Sequence, residues 1–323
     1  MRAIVVNELG GPEVLTLEER PDPEPGPADV VVDVVAGGVN FIDTYQRTGA
    51  YPMDLPYVVG SEGAGTVTAL GSDVAGVAVG DRVAWASVNG TGYADTAVVP
   101  AERVVPVPES VDLELAAAAM LQGMTAHYLV ESTFPAQRGQ TALVHPAAGG
   151  VGLLLCQLLR AKGVRVIGAT STEQKAELAR AAGADDIVLY RDVDLAEEVD
   201  RLTGGDGVDV VYDGVGRTTF DAGLDVLRPR GTMVLFGAAS GPVPPLDPQV
   251  LNRKGSLFLT RPMLGHYLLD REELLWRASE VLGAVGSGAL AIRIGGRYPL
   301  ADAAQAHRDL EGGGTTGKLL VVP

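Results

Sequence analysis

Residues 144–152 read Val-His-Pro-Ala-Ala-Gly-Gly-Val-Gly, directly after an apolar run and directly before a helical one. Glycines at such a strand-to-helix turn let a diphosphate approach the backbone, where N–H groups and the helix N-terminus favour an anion. The pattern alone occurs often by chance, and a tight turn in a ligand-free α/β domain is the competing reading. Context decides between them. Residues 140–144 have the length of a buried strand. Val151, Leu154, Leu155, Leu158 and Leu159 then recur at helix spacing, and residues 164–169 supply a second strand at βαβ distance. The turn therefore predicts dinucleotide binding.

The tip of the second strand bears on which dinucleotide. An NAD site usually carries Asp or Glu about 20 residues past the glycines, accepting from the ribose 2′-OH. Here the strand ends Ala169-Thr170-Ser171 with no carboxylate, Lys175 lies one turn into the next helix, and Tyr190 ends the strand after it. An ammonium and hydroxyls suit a 2′-phosphate, which a carboxylate would repel. NADPH is the expected cofactor. Against it, Lys175 reads equally as a solvated helix-face lysine, and Glu173 stands close enough to turn toward a ribose.

The remaining titratable residues suggest no metal site. His127, His145, His266 and His307 are scattered with no i, i+4 pair. Only His145, beside the glycine turn, is expected near the cofactor. Cys156 is the single cysteine, so no intramolecular disulfide forms. It falls among leucines, where burial as an inert thiol is expected.

The elements that must position these residues follow from pattern. Beyond the first two strands, residues 187–190, 208–213 and 232–236 read as strands, with helices over 195–202 and 219–227. Pro229-Arg230-Gly231 reads as the stop of the second of these helices, and 257–259 as a sixth strand. This alternation predicts a doubly wound parallel sheet. Residues 1–120 instead carry short apolar runs (30–35, 64–70, 82–86) between glycine and proline turns, as in a β-rich, partly closed domain. The proline-rich stretch 21–27 reads as a stiff surface loop. After Pro262 come a helix over 274–285, a strand at 292–294, a helix over 301–310 and a terminal strand over 318–322. That tail is too short for a domain of its own. The expected organisation is α/β: a dinucleotide domain over 123–261 and a β-rich domain over 1–122 and 262–323.

A chain of 323 residues with 46% hydrophobic content is long and apolar enough for two cores. Its net charge of −16 argues against nucleic acid and anionic membrane as general partners. No charged-then-apolar leader precedes the strand-like Ala3-Ile4-Val5-Val6, and no apolar run approaches a membrane span. A cytoplasmic protein is expected.

A β-rich first domain, a dinucleotide domain and a returning tail resemble the medium-chain dehydrogenases/reductases. Within them the chain resembles the zinc-independent NADPH:quinone reductases, which are related to the zeta-crystallins. The segments that carry the resemblance are Gly10-Gly11-Pro12-Glu13-Val14-Leu15, Asn40-Phe41-Ile42-Asp43-Thr44-Tyr45, Gly60-Ser61-Glu62-Gly63-Ala64-Gly65, the glycine turn, Val211-Tyr212-Asp213-Gly214-Val215-Gly216 and the run 255–262. Pro146 departs from the pattern, since relatives usually have Ala or Gly there; it fixes φ and removes an N–H from the turn. The resemblance implies a Rossmann cofactor domain beside a GroES-like catalytic domain, with a homodimer as the usual form. It implies cofactor contacts at Asn40, Thr125, Gly149, Gly150, Val151, Ser171, Lys175, Tyr190, Val215, Phe236 and Gly237, with Thr260 and Arg261 as weaker candidates. It also places Asn40, Tyr45 and Tyr51 at the acceptor. Tyr51 reads equally as a packed ring in a Tyr-Pro turn, and Tyr45 as wall. Lys318 reads as a surface charge on the terminal strand.

Zinc alcohol dehydrogenases of this superfamily carry Cys where Asp43 stands and His where Ser61 stands, so the resemblance implies no metal. Without a Lewis acid to stabilise an alkoxide, the easier reaction is giving hydride to an acceptor that is already electron-poor. A quinone is the expected acceptor. An activated C=C bond in an enal, enone or enoyl thioester is the alternative, and an NADPH-binding structural or sensing protein with little turnover is the reading from another class.

Overall fold

The computed structural model describes residues 1–323. They divide into two compact units, Met1–Met124 with Tyr267–Pro323, and Thr125–His266. The sequence puts the cuts after 122 and 261; in the structure they fall after 124 and 266.

The first unit starts with β1 (Arg2–Val6) and β2 (Leu15–Glu19), then β3 (Asp29–Val39), helix α1 (Phe41–Arg47), β4 (Tyr57–Val58), β5 (Glu62–Leu70), β6 (Arg82–Ala86), β7 (Thr96–Pro100), β8 (Val105–Pro106) and α2 (Leu113–Tyr128), whose last turn, from Thr125, is counted in the second unit. Strand β1 is antiparallel to β2 and to β4. Strand β3 forms because a valine-rich run prefers a pleated surface. Val30, Val32 and Val34 turn inward onto Val67, Val83, Trp85 and Val99, and each valine so buried stabilises by ~1.5–3 kcal/mol. The strand ends at Gly37-Gly38-Val39. A Cβ at Gly37 would collide with the carbonyl of Gly92, so the chain turns there against bare backbone. Asn40 then starts α1 in an extended conformation, its N–H donating to Asp43 Oδ2 at 2.8 Å. This is half of a capping box.

In the second unit β9 (Thr141–His145), α3 (Gly150–Ala161), β10 (Arg165–Thr170), α4 (Glu173–Ala182), β11 (Asp186–Leu189), α5 (Leu195–Thr203), β12 (Val208–Asp213), α6 (Phe220–Asp225), β13 (Leu227–Leu235), α7 (Gln249–Arg253) and β14 (Phe258–Thr260) alternate. The sheet order is β11-β10-β9-β12-β13-β14, with every pairing parallel. This is the doubly wound arrangement, and its order reverses beside β9, where such sheets bind ligands. The fifth strand departs from expectation. It begins at Leu227, and residues 229–231 lie inside it instead of closing a helix, which ends earlier at Asp225. The register jumps from Val208↔Leu227 to Val210↔Thr232, so the extra residues bulge out and Pro229 has no ladder bond to forfeit.

The tail contributes α8 (Arg271–Gly286), β15 (Ile294–Pro299), α9 (Ala303–Glu311) and β16 (Lys318–Val322). Strand β16 pairs antiparallel with β3, Leu319 opposite Val39, within a seven-stranded sheet ordered β15-β16-β3-β5-β6-β8, with β7 also on β3. Strand β15 lies further along than the expected 292–294. Its glycines 295 and 296 sit at a register shift, and glycine within a strand commonly marks such an irregularity. No helix is long and apolar enough to cross a membrane.

Candidate active site

The glycine turn joins β9 to α3 through a cis His145–Pro146 bond. Gly149 caps α3 in extended conformation, and Gly150 and Val151 open its first turn, whose N–H groups have no intrahelical acceptors. A Cβ at Gly152 would collide with the Pro146 carbonyl, so helix and turn are in backbone contact. Cys156 is fully buried on α3, and burial pushes its thiol up to about 12. It is inert, as its leucine neighbours suggest.

At the tip of β10, the register Thr170↔Leu189 sets Ser171 level with Tyr190. Thr172 caps α4, accepting from the Lys175 N–H at 3.3 Å. Lys175 is partly buried. That burial, and Arg191 next, lower the pKa of its ammonium, so a second cation stands within electrostatic reach in a strongly acidic chain. Glu173 turns to Arg180 instead. The Tyr190 ring meets that of His145 edge-on, with centroids 5.1 Å apart. Burial lowers the His145 pKa, against Asp213, which favours a neutral ring.

Asp213 is the organiser that sequence reading passed over. It is fully buried at the end of β12. Its Oδ1 accepts from Val215 N at 2.7 Å and Gly216 N at 3.1 Å, and its Oδ2 from the Thr219 hydroxyl at 2.7 Å. Its carbonyl accepts from Phe236 N and Gly237 N. The loops carrying Val215, Phe236 and Gly237 are thus tied to one residue, the first by its carboxylate and the other two by its carbonyl. Thr260 ends β14 and Arg261 follows it, donating to the Pro262 carbonyl at 3.2 Å. Thr125 is buried in α2.

In the first unit, Asn40 is 5% exposed and its amide makes three hydrogen bonds. Its Nδ2 donates to Glu62 Oε1 at 2.6 Å and to the Gly38 carbonyl at 3.2 Å, and its Oδ1 accepts from Lys318 Nζ at 2.7 Å. Lys318 also pairs with Glu62. Lys318 is therefore no surface charge: it is 1% exposed, because β16 lies beside β3 and turns its first side chain inward. Tyr45 on α1 and Tyr51 just after it come together, ring centroids 5.4 Å apart, with Phe41 one turn back at 6.2 Å from Tyr45. Tyr51 is 38% exposed.

Behind α1 lies a second buried chain of polar groups. Arg47 donates to His307 Nδ1 at 2.9 Å, and a guanidinium only donates, so the His307 proton sits on Nε2. Nε2–H then donates to the Tyr93 oxygen at 3.0 Å, and the Tyr93 hydroxyl to Asp43 Oδ2 at 3.2 Å. Burial pushes the Asp43 carboxyl up to about 7, against the Asn40 N–H and the Lys318 ammonium. Burial, with Arg47 adding to it, draws His307 down to about 3.

These groups do not fit zinc. Asp43 Oδ1 and Ser61 Oγ are buried without hydrogen-bond partners, but they are two oxygens, with neither nitrogen nor sulfur. No three His, Cys, Asp or Glu side chains gather as ligands, and the Lys318 ammonium already occupies Glu62. A tetrahedral nitrogen and sulfur site cannot be built from them.

A GroES-like unit and a doubly wound dinucleotide unit in one chain define the medium-chain dehydrogenase/reductase class. Residues 26–109 match the alcohol dehydrogenase GroES-like domain and residues 150–274 the zinc-binding dehydrogenase model. The chain is 46% identical to a quinone oxidoreductase of Pseudomonas aeruginosa, covering 97% of each, and 40% identical to a 2-haloacrylate reductase of Burkholderia, covering 99% of this chain and 98% of that one. A mycobacterial protein solved in complex with NADPH is 52% identical and superposes with a TM-score of 0.97 over 100% of both chains. The chain belongs to the quinone oxidoreductase family.

Proposed function

We propose that this protein is an NADPH-dependent oxidoreductase that reduces a quinone to its hydroquinone, the acceptor taking one hydride and one proton. The observation that supports the reading is the tip of β10, where Ser171 and Tyr190 follow the ends of paired strands, Lys175 lies in the first turn of α4 and Glu173 pairs with Arg180. Bound NADPH supplies the hydride. The first turn of α3 offers N–H donors to the pyrophosphate, and Lys175 neutralises the 2′-phosphate. The loops tied by Asp213 hold Val215, Phe236 and Gly237 as a fixed rim. Tyr45 and Tyr51 offer hydroxyls to the acceptor oxygen on which charge develops. With no metal-ligand set in the chain, these donors act only on acceptors that are already electron-poor.

The 2-haloacrylate reductase relative favours one further reading, reduction of an activated C=C bond by the same hydride. Both are tested by following NADPH absorbance with small para-quinones, an ortho-quinone, an alkenal, an enoyl thioester and a 2-haloacrylate, and NADP⁺ with a primary alcohol. Turnover with quinones, slow or absent turnover with the alkenal, and none with the alcohol are expected. Preference for the alkenal, thioester or haloacrylate replaces the quinone reading with the second. NADPH binding without consumption on any acceptor overturns both.

A further inference from the structure

We infer that Lys318 and Glu62 are positioning residues that lock the Asn40 amide in one orientation, so that Asn40 meets a bound ligand as an acceptor and not as a donor. The inference rests on the proposed NADPH-dependent function and on the cofactor contact at Asn40 that the family resemblance implies. The two ends of an amide have the same shape and are told apart by their partners. An ammonium only donates, so the atom facing Lys318 Nζ is Oδ1; a carboxylate only accepts, so the atom facing Glu62 is Nδ2. The second Nδ2 hydrogen goes to the Gly38 carbonyl. Both amide hydrogens are then used, while Oδ1 keeps a lone pair. A flipped amide would set nitrogen against the ammonium and oxygen against the carboxylate.

The clamp is itself held. Glu62 Oε2 accepts from the Leu121 N–H at 2.7 Å, which leaves the carboxylate little freedom to rotate. Gly38 provides the space, since a Cβ there would collide with Glu62 Oε1 and approach Lys318 Cε to 2.6 Å. Burial of Glu62 and Lys318 to 0% and 1% exposure keeps water from competing. The ligand atom that Asn40 receives is therefore a donor on the nicotinamide half, such as a hydroxyl of the nicotinamide ribose or the carboxamide N–H. A quinone oxygen, which only accepts, is not its partner.

Removing one member of a buried ion pair strands the other charge and endangers the fold. The decisive variant is therefore the double change Lys318→Met with Glu62→Gln, its fold verified by thermal unfolding. Glu62→Gln alone, which keeps the shape of the side chain and an oxygen that accepts from the Lys318 ammonium, is the second variant should the double one not fold. NADPH and 2′,5′-ADP, which carries the adenosine half and the extra phosphate but no nicotinamide, are titrated into wild type, the double variant, Asn40→Ala and the triple combination. The double variant is expected to bind NADPH about tenfold more weakly and 2′,5′-ADP as wild type does. Asn40→Ala is expected to add nothing in its background, since residues acting through one another are not additive. Glu62→Gln alone should show the same ligand pattern with a smaller loss. Equal losses for both ligands, undiminished NADPH binding, or an additive Asn40→Ala effect would overturn the clamp. Wild-type protein that binds NADPH but turns over no acceptor would sink the functional reading and leave these titrations to decide the clamp.

Discussion

Lys175 and Glu173 are neighbours on the first turn of α4, and their environments assign them different tasks. Glu173 is taken by Arg180, while Lys175 stays partly buried near Arg191 with its ammonium disfavoured. An anion placed there relieves the repulsion between the two cations. Lys175→Ala is therefore expected to weaken NADPH by ~1.5–3 kcal/mol, the worth of one charge-assisted contact, and to leave NADH nearly unchanged. Titration of both cofactors measures this, and equal losses would refute the assignment. The placement of Lys175 was legible in the sequence because its signals are local: a strand tip, a helix start, a missing acid. Lys318 was not. Its partners Glu62 and Asn40 lie 256 and 278 residues away along the chain, and a lysine opening a terminal strand looks solvated until that strand is placed. Asp213 was quoted within a motif, but its contacts to Phe236 and Gly237 appear only once β12 and β13 lie side by side.

Among the elements, strands built from β-branched runs were legible, and those interrupted by glycine or proline were not. Strand β13 hides Pro229 in a bulge, and β15 hides two glycines at a register shift. In each the local signal for a turn is real, and sheet pairing overrides it. The α3 start shows the opposite case, a glycine whose smallness positions an element. Gly152→Ala must push α3 off the Pro146 carbonyl, and the first-turn N–H groups move with it. Lower thermal stability and weaker NADPH binding are expected together. Gly283 provides the contrast: it is exposed in the last turn of α8 with nothing within 4 Å of an added Cβ. Gly283→Ala is expected to stabilise by ~0.5–1 kcal/mol through helix propensity and a less free unfolded chain, without touching NADPH affinity. Thermal unfolding and cofactor titration of the two variants separate these effects, and a stable, tight-binding Gly152→Ala would remove the argument for close contact at the turn.

For the whole molecule, the alternation of strands and helices was enough to predict a parallel doubly wound sheet, whereas the return of the tail onto β3 rests on pairings between the two ends of the sequence. That return has a consequence for the response of stability to pH, because it buries His307 of α9 with Asp43 of α1 through Tyr93. Asp43 has its folded pKa raised from 3.8 to about 7. Between those values the folded state keeps a proton that the unfolded state releases, so this contribution is present in acid and lost as pH rises through about 7. His307 has its folded pKa lowered from 6.5 to about 3. The unfolded state then takes up a proton that the folded state refuses, so this contribution is present above about 6.5 and lost as pH falls toward 3. Between about pH 4 and 6.5 the two slopes carry one proton each with opposite sign, and they cancel. Removing either group should expose the other. Relative to wild type, His307→Gln is expected to gain stability as pH falls from 7 to 4, Asp43→Asn is expected to lose it below 6.5, and the double variant should again run parallel to wild type. Taking differences against wild type removes the ordinary titration of the other carboxylates, which all four proteins share. The measurement is the midpoint of thermal unfolding across that range for all four proteins. Single-variant profiles that merely shift up or down, parallel to wild type, would show that the buried pair does not titrate as the geometry requires.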